Sequence, residues 1–71
     1  MEDHEICYDI IAATGEVFSG LNFDMIQMFS QMVPIKKIIK TENYKVGGFS
    51  IVKTSIHRNL EELKNASDEV N

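Results

Sequence analysis

Hydrophobic and polar positions recur at helical spacing through much of the chain. The most apolar segment is Asn22 to Val33. At 100° per residue, Met25, Ile26, Met28, Phe29, Met32 and Val33 share one face, and Asp24, Gln27, Ser30 and Gln31 the other. Asn22 suits an N-cap, Asp24 suits the positive end of the helix dipole, and Pro34 stops the run. Glu2 to Ser19 gives a second stripe, with Ile6, Cys7, Ile10, Ile11, Ala13, Thr14, Val17 and Phe18 against Tyr8, Asp9, Ala12 and Glu16. Asp3 would cap this helix, and Gly20 would supply its left-handed stop.

Beyond Pro34, Ile35, Ile38 and Ile39 against Lys36, Lys37 and Lys40 fit a two-turn helix, and their β-branched content also fits a strand. Thr41 to Gly48 reads as a loop. Phe49, Val52, Ile56, Leu60, Leu63, Ser67 and Val70 then follow spacings of three and four. The β-prone start of this run leaves helix expected from about Ser55, with a fraying tail over 66–71.

The pattern therefore predicts one domain over 1–71, all-α, a small bundle of three main helices plus a short fourth after Pro34. Ile10, Ile11, Val17, Phe18, Met25, Phe29, Met32, Ile56, Leu60 and Leu63 would form the core. The alternative is α+β, with a hairpin over residues 35–53 turning at Glu42-Asn43. The paired Gly47-Gly48, which weaken a strand, favour the bundle.

Size changes the picture. A lone core in 71 residues supplies only about 3–5 kcal/mol. With Cys7 as the single cysteine there is neither an internal disulfide nor a zinc cluster to add to it. Self-association is the remaining common remedy, so a homodimer is expected, with Phe23, Tyr44 and Ile51 as candidate contacts. No apolar run approaches the length of a membrane span, and the first residues are acidic where a secretory signal would be basic. A cytoplasmic protein without membrane contact is expected, and the free thiol agrees with a reducing compartment.

The charge is segregated. Net charge is −4, yet residues 1–35 hold six acids and no Lys or Arg, while Lys36 to Arg58 holds six basic residues against Glu42 alone. Charge laid out in this way speeds encounter and fixes orientation more than it adds affinity.

Candidate chemistry is sparse. His4 and Cys7, three apart, or His57 and Glu61, four apart, would each offer a metal only two ligands on a helix, so no metal site is expected. No phosphate-loop pattern and no nucleophile motif occurs, and neither an enzyme nor a cofactor is expected. The segment Thr54 to Leu63 resembles the recognition segment of helix-turn-helix and winged-helix proteins, with Ser55, His57, Arg58 and Asn59 able to face a groove. It lacks a positioning helix close upstream, and Glu61 and Glu62 lie on it, so no family is named.

The expected function is thus a small acidic protein–protein interaction module, a regulator of the inhibitor, adaptor or anti-repressor type. Met25, Met28, Met32, Asp9, Glu16 and Asp24 would grip the protein target. The second reading is a helix-turn-helix-like DNA-binding transcriptional regulator using residues 53–63, with Lys36, Lys37, Lys53, His57 and Arg58 on the nucleic acid.

Overall fold

The computed structural model describes residues 3–68, with the side chains of residues 4–66. It is an α+β fold built on a four-stranded antiparallel sheet. The elements run β1 (Asp3–Ala12), β2 (Val17–Leu21), α1 (Phe23–Met32), β3 (Ile35–Val46), β4 (Phe49–His57) and α2 (Leu60–Asp68), and the sheet order is β2-β1-β3-β4. β2 and β3 both run antiparallel to β1, so α1 carries the chain over β1 between two parallel strands.

The expected all-α helical bundle is therefore wrong. The segment expected as the first helix is a hairpin. Ile6, Tyr8, Ile10 and Ala12 alternate with Glu5, Cys7, Asp9 and Ile11, and that period-two pattern is what ten residues of pairing with β3 select. Ile6 and Ile10 satisfy a helical stripe equally well, and three isoleucines and a tyrosine within six residues prefer the pleated surface. The two-turn helix after Pro34 and the expected loop from Thr41 as far as Val46 are together the long strand β3. The expected last helix is strand as far as His57. The hairpin of the alternative reading runs further than 35–53, and it turns at Gly47-Gly48 instead of Glu42-Asn43. Both glycines take positive φ, +55° and +87°, which is what a two-residue turn matching the strand twist demands. The paired glycines make the hairpin turn; they do not oppose it.

α1 does form where its stripe lies. The Asn22 side chain accepts a hydrogen bond from the Met25 amide at 2.9 Å. Val33 is extended ahead of Pro34, as the ring requires. Asn59 caps α2 in the same way, accepting from the Glu62 amide at 2.8 Å. In the expected fraying tail, residues 66–68 belong to α2, and 69–71 lie outside the described residues.

Both helices pack on one face of the sheet. Tyr8, Ile10, Ile26, Ile38 and Leu63 are buried there, with Phe18, Leu21, Phe23, Phe29, Ile35 and Leu60 packed around them. Ring contacts of Phe18 on Phe29 (4.8 Å) and Tyr8 on Phe23 (6.0 Å) fasten α1 to the first hairpin. Of the expected core, Val17, Met25, Met32 and Ile56 are exposed and Ile11 is half-buried. In a strand, alternate residues turn away from the core, and α1 needs only Ile26 and its flanks to reach the sheet.

Candidate functional site

Strand register decides which side chains meet. Partners across an antiparallel pair share a face. On the helix side, Ile38, Lys40, Glu42 and Tyr44 of β3 therefore face His57, Ser55, Lys53 and Ile51 of β4 in turn. Beyond Ile38 this face turns polar, and the side chains close into a network. Glu42 Oε2 accepts from the Tyr44 hydroxyl at 2.5 Å and from His4 Nε2 at 3.2 Å, and Lys40 Nζ lies 3.8 Å from the other oxygen. The His4 ring stacks on Tyr44 at 4.2 Å. The Tyr44 hydrogen bond, then the charge of Lys40 and the contacts of His4, hold the Glu42 carboxyl below its ordinary value although burial opposes them. Burial, and after it the Glu42 charge, holds the Tyr8 phenol above its ordinary value.

Beside this network, His57 is buried with Nε2 3.0 Å from Ser55 Oγ. Lys40, Glu42, Lys53, Ser55 and His57, with Leu63 and Ala66 of α2, line a cavity of about 160 Å³. Among the described residues, Lys53 forms no ion pair.

Other surfaces carry exposed apolar groups. Met25, Met28 and Met32 stand on the outer side of α1, 43 to 72 % exposed. On the opposite, uncovered face of the sheet lie Cys7, Ile11, Val17, Ile39, Val52 and Ile56. β4 is an edge strand with Phe49 and Ile51 on one face and Val52 and Ile56 on the other, each more than half exposed.

The residues expected to grip a protein target fall in different places. The three methionines form one stripe with Asp24 near its start. Asp9 is on the uncovered face of the sheet, where its Oδ1 accepts from the Gly20 amide at 3.3 Å, beside the irregularity that sets Tyr8 against Leu21 but Ile10 against Phe18. Gly20 takes φ +70° there, so both residues serve the bulge. Glu16 is exposed at the tip of the first hairpin.

The expected nucleic-acid set is likewise divided. Lys36 is exposed at the start of β3, and Lys37 lies across from Ile11 on the uncovered face. Lys53 and His57 line the cavity, and Arg58 pairs with Glu62 at 3.3 Å between β4 and α2. Residues 53–63 span a strand end, a bend and the first turn of α2, so the single recognition helix of the second reading is not formed. Of the expected interface residues, Phe23 and Tyr44 are half-buried and only Ile51 is open.

His4 and Cys7 sit on alternate faces of β1, which removes the i, i+3 pairing, and among the described residues no group of three metal-ligating side chains forms. No helix of the described residues is long and apolar enough to cross a membrane.

Sequence reading gives no role to Lys40 or Glu42 in a site, and it assigns Tyr44 to a dimer contact and Ser55 to a nucleic-acid groove. The signal is the period of two in Lys40-Glu42-Tyr44 and Lys53-Ser55-His57, hidden when the first is split between a short helix and a loop and the second is placed at helical spacing. Comparison of the chain with protein-family models, curated proteins and solved structures finds no match.

Proposed function

We propose that the chain is a protein–protein interaction module, a small regulator of the inhibitor, adaptor or anti-repressor type, that works as a homodimer. One observation carries this reading: among the described residues ten large apolar side chains are exposed, against five buried in the core. They are grouped. Val46, Phe49, Ile51, Val52 and Ile56 cluster on the β3–β4 arm, and Met25, Met28 and Met32 on α1.

The arm suits a second copy. A strand apolar on both faces has the composition of an interior strand, yet β4 lies at the sheet edge with only Lys53 as a guarding charge. Two β4 strands pairing antiparallel about Val52 would set Ile51 against Lys53 and Phe49 against Ser55. That register keeps the two copies of Lys53 from facing each other. It also extends a small core of five buried residues into a continuous eight-stranded sheet, supplying further burial.

The methionine stripe then remains for the protein target, since unbranched thioethers adapt to varied apolar surfaces. Affinity capture from the source cell tests this part. The wild-type chain is expected to retain a protein that a Met25→Ser, Met28→Ser, Met32→Ser variant loses while keeping its fold. Equal capture by both would refute the assignment of that surface.

A further inference from the structure

The cavity between β3, β4 and α2 makes a demand of its own, independent of the protein-binding reading. Its polar lining residues are Lys40, Lys53, Ser55, His57 and Glu42. The groups come from successive rungs of one face, Ile38 opposite His57, Lys40 opposite Ser55 and Glu42 opposite Lys53, so rigid strands hold them and no loop is involved. We propose that this cavity is a binding site for a small oxyanion, a phosphate or a carboxylate, held by Lys53, Lys40, Ser55 and His57.

Three features carry the proposal. The first is the balance of donors and acceptors. The one carboxylate is already engaged by Tyr44, His4 and Lys40, whereas Lys53 has no ion-pair partner among the described residues. The lining charge left without an ion-pair partner is a donor, the exposed Lys53 ammonium, and an oxyanion supplies acceptors. The second is charge: two ammonium groups against one carboxylate leave the lining at +1. His57 Nε2 lies 3.0 Å from Ser55 Oγ, so the two side chains hold each other at the cavity wall. The third is size. About 160 Å³ is well below the roughly 300 Å³ at which pockets for larger organic ligands begin, but it admits a single oxyanion group. Leu63 and Ala66 of α2 supply the apolar side of the cavity. Glu42 opposes the ligand, and that fixes the sign of its substitution.

The test uses amide NMR spectra of the full chain, titrated with sodium phosphate and separately with sodium acetate. Sodium chloride holds ionic strength constant throughout. Saturable shifts are expected at Lys40, Lys53, Ser55 and His57 with at least one of the two anions, and which one saturates identifies the source of the oxyanion. Lys53→Met should weaken binding about fivefold or more, as removal of a unit charge at contact distance does even in water. Glu42→Gln should tighten it. Lys45→Met removes an exposed charge outside the cavity and should leave it unchanged. Ser55→Ala serves as the second cavity variant if Lys53→Met loses the wild-type amide pattern. Absence of saturation with both anions overturns the proposal. So does equal weakening by Lys45→Met and Lys53→Met, which would reduce the effect to net charge.

Discussion

Replacing Ile26 by Ala separates the sheet fold from the bundle that the hydrophobic stripe suggests. Ile26 is 0 % exposed and is the only buried residue of α1, lying over Tyr8, Ile10 and Ile38. Met28, on the same apolar stripe by helical spacing, is 58 % exposed. The change at Ile26 removes three carbon groups. At about 0.8 kcal/mol each the transfer loss is roughly 2.4 kcal/mol, and the cavity left beneath a helix raises it to about 3–4 kcal/mol. A domain of this size holds only about 3–5 kcal/mol, so Ile26→Ala should be largely unfolded at 25 °C. Met28→Ala should cost no more than about 0.5 kcal/mol. Urea unfolding followed by circular dichroism reads both, with a helix-favouring osmolyte avoided and sucrose added if the Ile26 variant lacks a folded baseline. Similar losses at the two positions would show that the stripe is buried as a whole and that α1 does not sit on the sheet as described.

Three further outcomes follow from local geometry. Gly48→Val places a β-branched residue at φ +87° and should cost about 1–2 kcal/mol, whereas Gly47→Asn at φ +55° should be tolerated, both read by thermal unfolding. Asn22→Ala removes the N-cap of α1 and should lower stability by about 1 kcal/mol, with Asn22→Ser retaining most of it in the same assay. Glu42 has its pKa lowered in the fold, so its contribution is complete above its ordinary value of 4.5 and is lost as pH falls from there through the lowered value. Urea midpoints at pH 7 and pH 3 should therefore differ less in Glu42→Gln than in wild type.

Much of α1 is legible in the sequence, because its signals are local: Asn22 before the stripe, Asp24 in the first turn and Pro34 after it. β1 is not. Ile6 and Ile10 fit periods of two and four alike, and treating Tyr8 as polar hides the alternation Ile6, Tyr8, Ile10, Ala12. What decides between the periods is pairing with residues 35–45, far along the chain, which no local window contains. The same holds for the cavity. Lys40 and Ser55 are fifteen positions apart and meet only because Gly47-Gly48 sets the register of β3 on β4. Once the strands are known, the alternation of Lys53, Ser55 and His57 places all three on one face without further information.

Sedimentation equilibrium on wild type and Val52→Lys, from micromolar to millimolar concentration, bears most directly on the proposed pairing through β4. Val52 is 63 % exposed in the single chain, so the substitution leaves the core intact while placing two like charges on the dyad. Wild type should approach twice its 8.1 kDa with rising concentration, and the variant should remain at 8.1 kDa. A wild-type mass of 8.1 kDa throughout, or a dimer indifferent to Val52→Lys, would contradict self-association through this edge.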